Sequence, residues 1–283
     1  MGRELFEGAY RKFWDRVESC KTPLCRNNSS AICDLAGETD WHPPFGLMVG
    51  GELRESINEL NAWRRNLANL KDWSEILADY DQNDAWALRN HFVEPMVYFC
   101  MLQPSSTRDR LAQVATNGIH QANLCTQAGY KDVLDQDRLM PGKFLGRPRT
   151  ERQLARLAKH WAGADRLLAA LQSLDSESYR QQTFDYRNRA SHFIAPRLEL
   201  GEVQFVTRSI VPATRMVQQP DGSYRQKEID GKKVVAYDLG GIRPLTLNEI
   251  IETNSCEYHF AIAALDAYSD LLREIVSAKT SKG

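Results

Sequence analysis

Apolar residues that recur every three or four positions run through most of this chain, and no other pattern restricts its fold as strongly. Leu5, Phe6, Ala9, Phe13 and Val17 form one such stripe within residues 4–18, and Leu53, Ile57, Leu60, Leu67, Leu70 and Leu77 form the next. This period buries one face of an amphipathic helix and leaves the rest to water. The same spacing predicts helices over about 85–102, with a kink at Pro95, and over about 107–127. It predicts another long helix marked by Leu154, Leu157, Trp161, Leu168, Leu171 and Leu174, with Thr150 as its N-cap. Asp175 or Ser176 is expected to cap a helix that runs from about Glu177 until Pro196 stops it. Ile251, Tyr258, Ile262, Leu265, Leu272 and Ile275 mark a last helix over about 247–278.

Two regions depart from the pattern. Residues 22–50 carry Pro23, Asn27, Asn28, Pro43, Pro44 and Gly46, which predicts a long loop. Residues 202–239 hold the β-branched or aromatic runs "VQFVTRSIV", "SYRQKEI" and "KVVAYDL", separated by the turn signals "QPDG" and "DGK". They predict a three-stranded antiparallel meander. The expected fold class is mainly α, a helical bundle with a small β-meander inserted before the last helix. Residues 1–130 read as a helical N-terminal region and 138–283 as a helical core carrying the β insertion, and the two can equally form one continuous domain.

With 283 residues, 42% hydrophobic and 26% charged, the composition is that of a globular protein with a sizeable core. No run of about 18 apolar residues occurs, so no membrane span is expected. The opening "MGRELFEGAYRKFWDR" has no apolar signal core, which points to a reducing cytoplasm and to six free cysteine thiols. Cys20, Cys25 and Cys33, with His42, lack the paired C-x-x-C knuckle of structural zinc, so no metal and no cofactor is expected. Cys100, Cys125 and Cys256 sit in apolar helical contexts and read as core residues. Phosphate-loop, dinucleotide-binding, zinc-protease and serine-elbow motifs are absent.

Charge is distributed unevenly. Residues 138–197 hold twelve Lys or Arg against five acids, a net of +7, while the whole chain is −1 and the remainder therefore −8. A basic segment on an acidic chain suits a polyanion, and a solvated basic helix face has the same signature. Within the segment, "FDYRNRASHF" at 184–193 places Arg187, Asn188 and His192 together, and no other Arg precedes a His by five to seven residues. Chance gives an Arg-Asn with His five residues after the Arg in roughly 0.02 of chains of this composition.

These residues resemble the signature of the HEPN superfamily, R-x4-6-H with a polar residue, often Asn, after the Arg. The resemblance covers "RNRASH" and a helical context over about 150–283. It implies a four-helix core, a homodimer that brings two motifs together in a composite site, and metal-independent endoribonuclease activity in a toxin or phage-defence setting, with a regulatory partner or antitoxin. Members paired with nucleotidyltransferase antitoxins carry Tyr two residues after the His. Ile194 stands there in this chain, so that form of regulation is not implied.

The chemistry can be derived separately. RNA supplies its own 2′-OH nucleophile, so cleavage needs a proton acceptor, a proton donor and positive charge on the phosphate. His192 can exchange a proton near neutral pH, and Arg187 offers a forked donor to phosphate oxygens. Five residues turn a straight helix by about 500°, leaving the two side chains about 140° apart. A break between them, or a second subunit, is needed to aim both at one phosphate. Arg189, Arg180, Arg197 and Arg156 are the candidate RNA contacts. The structural alternatives make Arg187 an ion-pair partner of Asp185 or Glu177, His192 a helix C-terminal residue and Asn188 a surface polar group. A non-catalytic RNA-binding or adaptor module of the same type is the alternative function.

Overall fold

The structure, a computed structural model, describes residues 2–19, 31–39, 41, 45–140 and 142–280. It is mainly helical. Helices α1 (Arg3–Ser19), α2 (Ala31–Glu38) and α3 (Phe45–Leu77) are followed by α4 (Gln82–Leu88), a π turn over Arg89–Val93 and α5 (Glu94–Thr126). A 3-10 turn at Asp135–Arg138 leads to α6 (Arg147–Ala158), α7 (Ala164–Ser173), α8 (Glu177–Gln182) and α9 (Tyr186–His192). Strands β1 (Val203–Gln218) and β2 (Tyr224–Ile242) precede α10 (Leu247–Thr280). Among the described residues no helix is long and apolar enough to cross a membrane.

The stripes become the packing faces. Helices α3, α5 and α10 lie against one another, with α7 on α10 and α6 on α5. Trp63 of α3 meets Tyr258 of α10 edge-on, ring centroids 5.5 Å apart. Gly118 lets α5 approach α10, because a Cβ there would run into the Tyr268 hydroxyl, which donates to the Val114 carbonyl at 3.3 Å. Helix α1 is held by a ring stack in which Phe13 lies on Trp73 and Trp73 on Phe92. One buried apolar cluster extends from Ala9 to Ile275.

Several expectations need correction. The predicted loop over 22–50 contains α2 and the first turns of α3, and apart from Thr39 and Trp41 its remainder (Pro23, Asn27, Asn28, Pro43 and Pro44 included) lies outside the described residues. Pro95 closely follows the π turn over Arg89–Val93, so the irregularity expected there is a change of hydrogen-bond pattern inside a continuous helix, and the two helices expected over 85–102 and 107–127 run together in α5, which continues through Pro104. The stretch 154–174 is two helices, interrupted at Lys159–Gly163, and Gly146 rather than Thr150 occupies the N-cap. Thr150 is buried inside α6. Ser176 does cap α8, its side chain accepting from the Tyr179 N–H. Cys256 is exposed and Cys125 half-buried, whereas Cys100 is in the core.

The β region is a two-stranded hairpin, not a three-stranded meander. Its turn lies at 219–223, where Gly222 has φ +84° and the Asp221 carboxylate accepts from the N–H and hydroxyl of Ser223. The second turn signal, around Asp230 and Gly231, becomes a bulge in β2 between Lys233, which pairs with Pro212, and Glu228, which pairs with Thr214. Positive φ at Gly231 is used there to absorb extra residues rather than to reverse the chain. At about 3.3 Å per residue the ribbon is about 50 Å long, and most of its residues are exposed. Its base is anchored by buried Val203 opposite Ile242, and by Glu199, whose carboxylate accepts the N–H of Leu247 at the start of α10.

Candidate functional site

The chain enters α9 through two consecutive left-handed residues, Phe184 (φ 52°) and Asp185 (φ 52°). For a bulky residue such as Phe this conformation is costly and is held by its surroundings. Arg189 Nε donates to the Phe184 carbonyl at 3.0 Å, and the Asp185 N–H donates to the Arg180 carbonyl at 2.6 Å. Arg243 stacks over the Phe184 ring. The predicted helix from 177 to Pro196 is therefore broken before Arg187, not between Arg187 and His192. Both motif residues lie on one helical segment, α9.

That geometry separates them. Arg187 and Asn188 line a cleft of about 990 Å³ between α5, the loop before α6, and α9. His192 does not line it: it is the last residue of α9, exposed, and has no hydrogen-bond partner among the described residues. Asn188 is the organiser on the cleft side. Its Nδ2 donates to both Asp185 carboxylate oxygens, at 2.9 and 2.8 Å, and its Oδ1 accepts from Arg187 Nη1 at 3.0 Å. Arg187 is thus positioned by a neutral amide and keeps its charge for a ligand. The ion pairs considered for it do not form, and Glu177 instead approaches Arg180 at 3.4 Å.

Four cations face the cleft, with unequal freedom. Arg147, at the start of α6, is consumed by the protein: it donates to Asp109, to Asp175 and to both the hydroxyl (2.6 Å) and carbonyl (3.2 Å) of Ser105. Lys143 has no side-chain partner among the described residues, and Arg180 has a buried Nε that nothing satisfies. Glu52, at the far end, accepts twice from Asn117 Nδ2 and is pushed above the usual carboxylate range by burial. The anion-receptive part of the cleft is accordingly Lys143, Arg180 and Arg187, with exposed Phe144 at its edge.

The wall behind Arg147 is braced from α10. Asp175, itself left-handed (φ 49°), donates its N–H to Glu257 Oε2 at 2.8 Å. Burial, reinforced by the charge of Asp175, pushes Glu257 up to about 7.

Of the predicted RNA contacts, only Arg180 joins Arg187 and Asn188 in the cleft. Arg189 turns back onto Phe184 and lies over the Phe205 ring, Arg156 pairs with Asp135 at 2.8 Å, and Arg197 lines a different pocket. Sequence reasoning missed Lys143 and Phe144. The basic, glycine-flanked run "GKFLGRPR" is the signal that points to them. Among the described residues no cluster of His, Cys, Asp and Glu is arranged to hold a metal ion, and Cys20, Cys25 and His42 lie outside them. No family model, curated protein or solved structure matches this chain.

Proposed function

We propose that this protein is a metal-independent endoribonuclease of HEPN type, acting as a homodimer, in a cytoplasmic toxin or phage-defence setting. The observation that carries the reading is the division of labour on α9: Arg187 lines the cleft with Lys143 and Arg180, the cations there that no carboxylate cluster encloses, while the His192 side chain stands exposed at the opposite end without a partner among the described residues. Exposed Phe193 (78%) and Ile194 (63%) flank that histidine, an apolar edge suited to a second copy. Across such an interface the His192 of one protomer meets the phosphate held by Arg187 of the other. His192 then moves the proton of the 2′-OH or of the leaving 5′-oxygen, and Arg187 carries the charge that builds on the phosphate. Asn188 positions Arg187 and does not touch the reacting atoms.

The test is cleavage of mixed cellular RNA in EDTA by the parent, Arg187→Ala and His192→Ala proteins at matched dimer state. Cleavage that leaves 2′,3′-cyclic phosphate and 5′-hydroxyl ends, and is lost in both variants, is expected. A folded dimer that binds RNA but leaves it intact, with or without divalent metals, would replace this reading with the RNA-binding or adaptor module. Mixing the two inactive variants gives a sharper result, since a composite site regains activity in the heterodimers that pair one intact Arg187 with one intact His192.

A further inference from the structure

Helix α9 has a second side. Trp86, Asn90, Glu94 and Tyr98 are spaced four apart along α4, the π turn and α5, and all four line one pocket of about 460 Å³. On an unbroken α-helix, twelve residues at about 100° each would leave Trp86 and Tyr98 about 120° apart. The wider π turn over Arg89–Val93 takes back much of that drift and brings the four onto one face. Tyr186, the first residue of α9, lines the same pocket, as do Arg197 and the buried apolar residues Leu245 and Ile250.

The lining is prepared and unused. Trp86 and Tyr98 are about half exposed and stack on no other ring among the described residues. The side chains of Asn90, Glu94 and Arg197 make no hydrogen bond or ion pair there either. A bare cation would suit the rings and Glu94 but not Arg197. At about 1.5 Å per residue Trp86 and Tyr98 stand about 18 Å apart along the helix, too far for one base to touch both, so a short single strand suits the lining: one base stacks on Tyr98 beside Glu94, a second on Trp86 beside Asn90, and the Arg197 guanidinium takes an adjoining phosphate. Tyr186, lining this pocket, is the immediate neighbour of Arg187, lining the cleft.

We infer that the Trp86/Tyr98/Tyr186 pocket is a nucleobase-binding groove, which receives bases of the single-stranded RNA whose phosphate rests on Arg187, one on Trp86 and one on Tyr98. The inference rests on the ribonuclease reading for its strand, but its test does not. The intact protein is titrated by calorimetry with AMP and with ribose 5-phosphate, and by fluorescence anisotropy with an uncleavable 2′-O-methyl RNA of about ten nucleotides and its abasic counterpart. AMP is expected to bind and ribose 5-phosphate not to. Trp86→Ala and Tyr98→Ala should each weaken the base-bearing strand about tenfold and leave the abasic strand unchanged, the double variant should abolish AMP binding, and Trp86→Phe should recover most of the loss at its position. Both residues are half exposed, so these variants are expected to stay folded, which their far-UV circular dichroism and urea midpoints check.

Equal binding of AMP and ribose 5-phosphate, or affinities unmoved by both alanine variants, overturns the groove. Base-dependent binding through Trp86 by a parent that cleaves no RNA keeps the groove and discards the nuclease reading.

Discussion

Arg147 and Arg187 face the same cleft and have opposite fates. Arg147 is about four-fifths buried and is held by two carboxylates and a hydroxyl, so its charge is spent inside the protein. Arg187 is exposed and leans on the Oδ1 of Asn188, whose own donors are taken up by Asp185. What distinguishes a cation that builds a site from one that serves it is the charge of its neighbours. A carboxylate neutralises and fixes, whereas an amide fixes without neutralising. The same comparison orders the consequences of changing each residue.

The largest effect is expected at Arg147. Arg147→Met keeps the side-chain volume but leaves Asp109 and Asp175 facing each other with no cation between them. Removing one member of a mostly buried ionic cluster costs about 3 kcal/mol or more, read as a lower urea midpoint at unchanged slope. Adding Asp175→Asn should return part of the loss, since the two changes share one interaction. If Arg147→Met unfolds like the parent, the cluster is not what holds this wall, and the contrast between the two arginines fails.

The next effect depends on pH. Glu257 keeps its proton up to about pH 7 in the folded protein, against an ordinary value of 4.5 in the unfolded chain. The folded state therefore binds more protons across that interval. Glu257's contribution is complete below pH 4.5 and is lost as pH rises through about 7. Glu257→Gln retains an oxygen for the Asp175 N–H and has no charge to bury. It should match the parent near pH 4.5 and exceed it above pH 7 by at most about 3 kcal/mol. Urea unfolding at stepped pH measures the difference, and a pH-independent offset would show that Glu257 does not ionise beneath Asp175.

How much of this is legible in the sequence follows from where each feature gets its energy. The stripes of α1, α3 and α10 read directly because burial of a periodic face is local in sequence. The α8–α9 break does not, since Phe184 is no turn residue: its left-handed backbone is held by the Arg189 side chain, a local bond that no apolar periodicity encodes, and its ring is covered by Arg243, 59 positions away. The bulge at Gly231 reads as a turn because glycine's positive φ serves either purpose, and only the cross-strand register decides. Motif and charge point to Arg187, Asn188 and Arg180, which share one cleft, but not to the carboxylates Asp109, Asp175 and Asp185 that line it with them. The exclusion of His192 follows from the 140° that five residues impose, once no kink intervenes. Saturation of Arg147 by Asp109 and Asp175 depends on residues 38 and 28 positions away, which no local pattern encodes.

The smallest effect on stability, and the one that sharpens the comparison most, is expected at Arg187. Its guanidinium is exposed and has one neutral partner, so Arg187→Ala should move the unfolding free energy by no more than about 0.5 kcal/mol. Asn188→Ala should do slightly more, because it leaves the Asp185 carboxylate without both of its hydrogen bonds beside a strained backbone. On RNA the ranking reverses. With a phosphate on Arg187 as proposed, Arg187→Ala removes that contact, so the slope of log affinity against log salt should flatten by about 0.7 for a single strand. Asn188→Ala keeps the charge, so it should weaken binding while leaving that slope nearly intact. If the two variants change the slope equally, Asn188 contacts the phosphate itself. If neither changes it, the cleft does not hold the backbone, and Arg187 neither builds the wall as Arg147 does nor serves a phosphate.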